Sequence, residues 1–557
     1  MAIRKLVECV PNFSEGRNKA TIEAIARAIS AVAGVSLLDV DPGADTNRTV
    51  YTLVGEPAAV VEAAVRAAAC ARGLIDMRQH AGAHPRMGAL DVCPFVPVAG
   101  VSMEECVELA KQTAARLAAE VGVPVYLYEY AASRPERRSL ADIRAGEYEA
   151  LPEKLKQPDW VPDYGPAEFV PEWGASVVGA REFLIAYNVN LNTRDAKLAN
   201  EVALDLREAG RPARDAAGKL VKDAGGKTVK LPGLLKHVRA IGWYIEDYRC
   251  AQISINLTNY LETPLHVVYE TARAAAEKRG LYVTGSEVVG LVPLAPLVDA
   301  GRYFLAKAGK SSGAPEAELV ELAIRSMGLA SVAVFDPAKK IIEYTARPSA
   351  PLMALSANAF VDEVSSDSPA PGGGSVAALA GSLGAALAAM VANLTVGKKG
   401  YEGSWAAMSD LAVRAQAIKA QLARAVDEDT AAFNSVMAAM KLPKANPAEQ
   451  AARDAAIQAG YQSAANVPLE TARACLEALK LAGEAVAGNR NSASDAGVAA
   501  LMARAGLHGA ALNVLINLGS ISDALYTANM KVQVAQLRKA ADERCAKIIA
   551  EVEALFT

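Results

Sequence analysis

Short apolar runs alternate with amphipathic stretches along the first 180 residues of the chain. Short apolar runs predict strands, and apolar residues that repeat every three or four positions predict helices. The predicted strands are residues 6–10, 35–41, 48–54, 90–98 and 125–128, and the predicted helices are residues 18–32, 58–71 and 103–121. Pro94 and Pro97 make the fourth strand an edge strand or an irregular one. This alternation predicts an α/β layer arrangement with a mixed sheet.

The same alternation returns between residues 181 and 340. The predicted strands are 183–191, 237–246, 250–257 and 282–290, and the predicted helices are 193–209 and 265–279. Both regions follow the order strand–helix–strand–strand–helix–strand, which predicts two ferredoxin-like α/β subdomains with a ligand cleft between them. Residues 216–230 are rich in Gly and Lys and are predicted to form an exposed loop or hairpin.

The pattern changes after residues 341–352, which we predict to be a linker. Long Ala- and Leu-rich helices are predicted near 353–366, 375–396, 404–440, 447–466, 469–487, 494–518 and 520–555, as in a helical bundle. The predicted domains are therefore 1–180, 181–340 and 353–557. Residues 375–396 carry no charge and could span a membrane. Their many Ala, Gly and Ser residues favour a helix buried inside the bundle.

Composition narrows the function classes. A chain of 557 residues is too long for a single core, and its net charge of −4 gives no general attraction to nucleic acid or an anionic membrane. The seven cysteines show no CxxC spacing, and the N-terminus leads directly into a strand rather than a signal peptide. We therefore expect a cytoplasmic protein with reduced thiols that acts on small molecules, without nucleic-acid or membrane partners.

Two of the five histidines lie in the segment His80-Ala-Gly-Ala-His84-Pro85-Arg86. A spacing of four suggests two metal ligands on one helical face. Pro85 disfavours a helical His84, and no Cys/His cluster nearby completes a zinc shell. An imidazole near Arg86 and Asp91 suits acid–base chemistry near neutral pH. The alternative is a surface turn without a chemical role.

Residues 74–98, together with Glu8-Cys-Val-Pro-Asn-Phe-Ser-Glu-Gly16, closely resemble formiminotransferase, and the second half separately resembles cyclodeaminase. Nearly the whole chain thus resembles the bifunctional formiminotransferase-cyclodeaminase family. The resemblance implies transfer of a formimino group from N-formimino-L-glutamate to tetrahydrofolate, then cyclisation to 5,10-methenyltetrahydrofolate with release of ammonia, within histidine breakdown. It implies folate as co-substrate, possibly polyglutamylated, no metal, and a homo-oligomer.

The resemblance makes His84 the catalytic residue of the first site. Asp39 and Asp41 share one strand face, and Arg48, which opens the next strand, could pair with a glutamate carboxylate through two hydrogen bonds. We expect these residues to orient the substrate and His84. The alternative for each is a structural salt bridge or turn.

The Pro- and Trp-rich segment 150–180 is either a linker or a rigid ligand-binding loop. Phe169 and Trp173 offer flat apolar faces for a ligand. The resemblance favours the loop, because the matching segment of the family contributes to folate binding. We therefore include Gly165 and Gly174 with the two aromatic residues in the candidate site.

Asp429 is the charged residue on an otherwise apolar helical stripe from Leu411 to Val436. A carboxylate on such a face should have a raised pKa, which suits a general acid or base. The resemblance makes Asp429 the catalytic residue of the second site. The alternatives are a helix cap or a water channel. Asp427 falls nearly opposite and is expected to be solvated.

Further candidates for the second site are polar or flexible residues at predicted helix starts or inside an apolar helix. A Gly-rich turn that includes Gly373 and Ser375 could bind an anion through backbone N–H groups. Asn513 and Asn517 could read a pterin edge or bond each other, and Lys398 and Lys399 could meet the folate tail. Ser494 and Asp495 open the helix that carries the two asparagines. The remaining alternatives are a methenyltetrahydrofolate cyclohydrolase as second module, or a non-catalytic folate-binding scaffold.

Overall fold

The computed structural model describes residues 5–82, 84–215, 218–223, 225–345 and 351–556. Their packing divides the chain into two compact units. One unit comprises residues 5–297 and 327–345, and the other comprises residues 298–326 and 351–556. We call them the sheet unit and the helical unit.

The first sheet has a ferredoxin-like core. Its strands are β1 (Leu6–Cys9), β2 (Asn12–Phe13), β3 (Val35–Gly43), β4 (Arg48–Gly55), β5 (Leu90–Ala99), β6 (Val125–Glu129) and β7 (Ser176–Ala180). The antiparallel order β3-β4-β1-β5 is that of a ferredoxin-like fold, and β7 and β6 extend it in parallel beyond β5. The predicted α/β class with a mixed sheet is confirmed.

Helices cover both faces of this sheet. They are α1 (Lys19–Ser30), α2 (Pro57–Arg72), α3 (Met103–Arg116), α4 (Leu140–Ile143) and α5 (Glu147–Lys154). The first three bury apolar side chains such as Ile25 on one face, and α4 and α5 pack through Ile143 and Leu151 on the other. Ser102 caps α3 with the predicted capping box.

Strand β5 corrects one prediction and confirms another. It lies between β1 and β7, so it is not an edge strand. Its register against β1 is shifted, so it is irregular, as predicted. Pro94 is tolerated because its carbonyl still accepts from Val10 N at 3.2 Å, although the ring supplies no N–H. Strand β7 was not predicted because it lies inside the Pro-rich segment.

The second sheet repeats the same core. Its elements are β8 (Ile185–Leu191), α6 (Ala196–Leu206), β9 (Arg211–Pro212), β10 (Lys230–Leu231), β11 (Val238–Ile245), β12 (Cys250–Leu257), α7 (Leu265–Glu277) and β13 (Val283–Val289). The order β11-β12-β8-β13 matches the core of the first sheet, which confirms the predicted repeat. Strands β9 and β10 pair around the Gly- and Lys-rich segment, in agreement with a hairpin.

The chain between the second sheet and the bundle contains α8 (Leu294–Lys307), α9 (Glu316–Met327), α10 (Pro337–Lys340) and α11 (Ile342–Thr345). Most of α8 and α9 belongs to the helical unit. Gly313, in the loop between them, accepts hydrogen bonds at its carbonyl from Asn393 and Gln416. The limits 1–180, 181–340, 341–352 and 353–557 stay predictions, and residues 346–350 of the expected linker lie outside the described residues.

The helical unit confirms the predicted bundle. Its helices are α12 (Ala357–Val364), α13 (Gly373–Thr395), α14 (Trp405–Met440), α15 (Pro447–Ala485), α16 (Ala493–Leu518) and α17 (Ala524–Ala554). Small residues bring α13 close to its neighbours, since a Cβ on Gly384 would lie 2.8 Å from the Ala499 carbonyl oxygen. Helix α13 and the segment Arg490–Leu518 are long and apolar enough to cross a membrane. In α13, however, 61% of the most apolar stretch is buried within the protein.

Helix α15 runs without a break through Pro468, although two helices were predicted there. Proline at this position removes the hydrogen bond to the carbonyl of Ala464, four residues earlier. The Asn517 side-chain amide donates to that carbonyl oxygen at 2.9 Å. A donor from α16 thus replaces the missing backbone donor, which explains why the helix continues.

Candidate functional sites

His84 lies in an irregular segment, as Pro85 predicts, with its ring partly exposed. Its Nδ1 lies 2.7 Å from the Pro85 carbonyl oxygen. A carbonyl oxygen can only accept, so we assign the ring proton to Nδ1 on this contact. Arg48 Nη1 then donates towards the Nε2 lone pair, 3.4 Å away, and its 2.9 Å approach to Nδ1 is a contact without a hydrogen bond. Burial, and then the charge of Arg48, hold the pKa of His84 below its ordinary value of 6.5. The ring is therefore neutral at pH 7, with Nε2 able to take a proton.

A buried carboxylate joins two arginines beside this ring. Asp91 is fully buried and accepts from Arg48 Nη1 at 2.9 Å and from Arg144 Nη2. Arg48 Nη1 also lies 2.9 Å from His84 Nδ1, and its other nitrogens donate to Asn12 Oδ1 at 3.0 and 2.7 Å. All three nitrogens of the Arg48 guanidinium are thus occupied by protein atoms.

An open cavity of about 410 Å³ lies beside His84. It is lined by His84, Pro85, Leu140, Ala141, Arg144, Ala145, Gly146 and Glu147. Arg144 ends the short helix α4, which the hydrophobic pattern did not predict. The sequence analysis therefore missed Arg144 as a site residue. It also missed Asn12, although Asn12 lies within the segment Glu8–Gly16 that resembles formiminotransferase.

His80 has a different environment from His84. Its Nε2 lies 2.8 Å from the Asn47 carbonyl oxygen, and its Nδ1 lies 3.3 Å from Arg86 Nε. Arg86 pairs in turn with Glu149. Both ring nitrogens are engaged by protein, so His80 fixes the loop. Among the described residues, no group of three His, Cys, Asp or Glu side chains is placed to hold a metal ion.

Asp39 and Asp41 lie on the exposed outer strand β3, paired with Thr52 and Val50 of β4. Side chains alternate along a strand, so Arg48 of β4 lies on the same face as both aspartates. This confirms that the two carboxylates share a face. Their role toward a substrate stays a prediction.

The Pro- and Trp-rich segment contributes mainly backbone and core. Trp173 is completely buried and donates from Nε1 to Ser176 Oγ at 2.9 Å, so the expectation of a free flat face is wrong for this residue. Phe169 is partly exposed and packs on Tyr148, with the two ring centroids 5.5 Å apart. Gly165 and Gly174 have φ of +85° and +79°, and a Cβ would lie within 2.2 Å of a carbonyl oxygen at either position. These two glycines are explained by close packing.

The second site forms where α14 meets the N-terminus of α13. Asp429 accepts hydrogen bonds from the Ser375 backbone and, at 3.4 Å, from Ser375 Oγ. A Cβ on Gly374 would lie 2.1 Å from Asp429 Oδ1, so only glycine admits the carboxylate there. Burial raises the pKa of Asp429 above its ordinary value of 3.8, while the bonds from Ser375 oppose this rise. The raised pKa agrees with the prediction.

Gly373 and Asn513 lie next to each other at this end of the bundle, with a Cβ on Gly373 3.3 Å from Asn513 Nδ2. Asn513 donates to the Gly509 carbonyl at 2.9 Å, and Asn517 donates to Ala464 and Asn513 carbonyls. The amide nitrogen of Asn517 is therefore engaged by the protein. A role of the two asparagines towards a pterin stays a prediction.

Ser494 and Asp495 are not brought to Asp429. Asp495 lies 18 residues before Asn513 on α16, which places it about 27 Å away along the helix axis. Lys398 lies at the same distant end and donates to Asn489. Asp427 is not simply solvated, because its carboxylate accepts from Leu352 N at 2.9 Å and Met353 N at 3.3 Å.

Comparison with known proteins covers the chain almost completely. The family model described as "Formiminotransferase domain, N-terminal subdomain" matches residues 6–181, "Formiminotransferase domain" matches 186–347, and "Formiminotransferase-cyclodeaminase" matches 356–536. Formimidoyltransferase-cyclodeaminase of Rattus norvegicus is 48% identical over 554 residues, 99% of both chains.

Two other relatives match one part each. Glutamate formimidoyltransferase of Streptococcus pyogenes serotype M1 is 42% identical over 301 residues, 54% of this chain and 93% of that protein. Methenyltetrahydrofolate cyclohydrolase of Methylorubrum extorquens is 44% identical over 169 residues, 30% of this chain and 81% of that protein. The full-length match and the three family models together show that the chain belongs to the formimidoyltransferase-cyclodeaminase family.

Proposed function

We propose that the chain catalyses two consecutive folate reactions. The first transfers a formimino group from N-formimino-L-glutamate to N5 of tetrahydrofolate. The second closes the product to 5,10-methenyltetrahydrofolate and releases ammonia. The observation that carries the proposal is the presence of two separate proton carriers in a chain of this family: a neutral His84 beside an open cavity, and Asp429 at the start of α13.

The first step needs one proton to leave N5 and one to reach the departing nitrogen. N5 attacks the formimino carbon and forms a tetrahedral centre. The Nε2 lone pair of His84 takes the N5 proton and then delivers it to the glutamate nitrogen, so the C–N bond to glutamate breaks and a free amine leaves. Burial, and then the charge of Arg48, keep the imidazole neutral before the reaction, which is the state that this step requires.

The second step forms the bond from N10 to the formimino carbon and breaks the bond from that carbon to the imine nitrogen. The N10 proton and one proton from solvent leave with the nitrogen as ammonia, and the product is the methenyl cation. Asp429 takes the N10 proton as a carboxylate and passes it to the departing nitrogen. Its raised pKa lies closer to neutral pH than that of an ordinary aspartate, so the carboxylate is a better proton acceptor.

A cyclohydrolase activity is the second candidate for the helical unit, because a methenyltetrahydrofolate cyclohydrolase is 44% identical to this chain over 169 residues. The two candidates differ in the bond that is broken. A cyclodeaminase releases ammonia from formiminotetrahydrofolate, whereas a cyclohydrolase adds water to the methenyl product and releases none. The full-length relative favours the first.

The test supplies tetrahydrofolate and N-formimino-L-glutamate and follows methenyltetrahydrofolate absorbance and ammonia together. Appearance of both supports the proposal. Folate consumption without ammonia means that the second module is not a cyclodeaminase, and absence of both means a different donor or a folate-binding scaffold. The variants His84→Ala and Asp429→Asn separate enzyme from scaffold, since a scaffold would bind folate equally well in both.

We further propose a cytoplasmic enzyme of histidine breakdown that accepts polyglutamylated folate, needs no metal and works as a homo-oligomer. Oligomerisation is supported by large apolar side chains exposed along α13 and α16: Val376, Leu383, Met390, Leu394, Val498, Leu501, Leu512 and Ile516. Ile516 is 75% exposed. A second copy of the chain would cover such a surface symmetrically. Sedimentation of Leu383→Glu and Ile516→Glu variants tests this, and an unchanged mass contradicts it.

A further inference from the structure

Arg144 differs from Arg48 in how its guanidinium is used, although both bind Asp91. Arg144 donates from Nη2 to Asp91, and its Nε is buried without a hydrogen-bond partner. A buried donor without an acceptor is costly unless a ligand supplies one. Arg144 also lines the cavity beside His84, which Arg48 does not. Arg144 thus lines the cavity with a guanidinium that has one buried donor, Nε, without a partner.

The charges around this guanidinium favour an anion. Asp91 is one carboxylate shared by two arginines, and it also accepts from Met87 N at 2.9 Å. Glu147 lines the same cavity, but its carboxylate bonds Arg86 at 3.0 Å. A carboxylate ligand would complete the partners of Arg144 and balance the second positive charge on Asp91.

The connection between Arg144 and His84 limits which carboxylate fits. Arg144 and Arg48 meet on one oxygen of Asp91, and Arg48 Nη1 touches the His84 ring. A short chain of contacts through Asp91 and Arg48 thus links Arg144 to the imidazole. In N-formimino-L-glutamate the α-carboxylate is three bonds from the formimino carbon, whereas the side-chain carboxylate is farther from it. A short connection suits the nearer group.

We propose that Arg144 binds the α-carboxylate of the formimino donor and so selects α-amino acids as the part of the donor that leaves. The proposal rests on the transferase step proposed above. Arg48 is then the residue that positions His84 and, after burial, keeps its ring neutral. Arg144 is the residue that holds the donor. Asp91 fixes the two arginines relative to each other.

The test compares wild type, Arg144→Gln and Arg144→Lys in the full chain with two donors. N-formimino-L-glutamate has both carboxylates, and the N-formimino derivative of 4-aminobutyrate lacks only the α-carboxylate. Loss of hydrogen bonds to a charged ligand should lower kcat/KM for the first donor about 10- to 150-fold in Arg144→Gln, mostly through KM. With the second donor the loss in Arg144→Gln should be much smaller, because only the effect of the Arg144 charge on His84 remains. Arg144→Lys should fall between wild type and Arg144→Gln with the first donor.

A purely structural role for Arg144 would lower activity equally with both donors, and that result overturns the proposal. Arg27→Gln is the matched control, because it makes the same change on a side chain that is 71% exposed on α1. The KM for tetrahydrofolate and the near-ultraviolet circular dichroism of each variant report whether the sheet unit is intact.

Calorimetric titration with the product L-glutamate separates this proposal from the proposed function. If wild type binds L-glutamate more tightly than 4-aminobutyrate and Arg144→Gln loses that difference, Arg144 is the carboxylate-binding residue even if no transfer occurs. If transfer occurs and Arg144→Gln keeps the preference for L-glutamate, the transferase stands and the role of Arg144 is wrong.

Discussion

The sheet unit and the helical unit place their proposed proton carriers, His84 and Asp429, in opposite surroundings. His84 lies among charged side chains, and burial together with two arginines lowers its pKa from 6.5. Asp429 lies on an apolar helix face beside backbone N–H groups, and burial raises its pKa from 3.8. The same desolvation thus moves a base and an acid in opposite directions, because it always disfavours the charged form. The lowered pKa keeps His84 neutral and able to accept a proton. The raised pKa makes Asp429 a weaker acid, and therefore a stronger base, than an ordinary aspartate.

The largest expected effects come from removing either proton carrier. His84→Ala should lower transfer about 10²- to 10⁴-fold and leave cyclodeamination of supplied 5-formiminotetrahydrofolate unchanged, and Asp429→Asn should do the reverse. Separate assays of the two half-reactions measure this. Loss of both activities in either variant would contradict the assignment of one carrier to each unit.

Gly374→Ala should damage the second site almost as strongly. The added Cβ would lie 2.1 to 2.4 Å from the Asp429 carboxylate, so the carboxylate or the start of α13 must move. We expect a loss of cyclodeamination of about 10²-fold with transfer unchanged. Gly403→Ala is the control, because a Cβ there meets no atom within 4 Å. Full cyclodeaminase activity in Gly374→Ala would show that the carboxylate position is not critical.

The pH dependence of transfer should follow the charge at position 48. Activity falls as pH drops through the pKa of His84, since the protonated ring cannot accept the N5 proton. The midpoint of this fall in activity, the acid limb of the pH profile, lies below pH 6.5 in wild type. Arg48→Gln removes a lowering charge, so the limb should move to higher pH, whereas Arg48→Lys keeps the charge and most of the wild-type position. A limb that does not move in Arg48→Gln would exclude Arg48 as a cause of the lowered pKa.

The smallest expected effect tests how α15 passes Pro468. Asn517→Ala leaves the Ala464 carbonyl without its donor and should destabilise the helical unit by about 1–3 kcal/mol. The same change in a Pro468→Ala background should cost less, because the alanine introduced there supplies a backbone N–H to that carbonyl. Calorimetric unfolding of wild type, the two single variants and the double variant measures the coupling energy between positions 468 and 517. Gln536→Ala is the control at an exposed position. Equal costs in both backgrounds would mean that Asn517 does not compensate for the proline.

Much of the architecture could be predicted because it is encoded locally. Period-two and three-to-four-residue patterns predicted the repeated strand–helix order and the bundle, and the capping box at Ser102 is a local motif. Strand β7 and helix α4 were missed because Pro, Gly and short length hide their pattern. The break predicted in α15 was wrong because the compensating donor, Asn517, is distant in the sequence.

The sequence by itself predicted the class of each unit and, through the family resemblance, His84 and Asp429 as the two candidate proton carriers. Pro85 excluded a helical His84, and the apolar stripe around Asp429 predicted its raised pKa. Only the tertiary structure decided their surroundings: Asp91 shared between Arg48 and Arg144, the unpartnered Nε of Arg144, the burial of Trp173, and the separation of Ser494 from Asp429. The reason is physical. Propensity and periodicity act between near neighbours in the chain, whereas hydrogen-bond partners and burial depend on which distant segments meet.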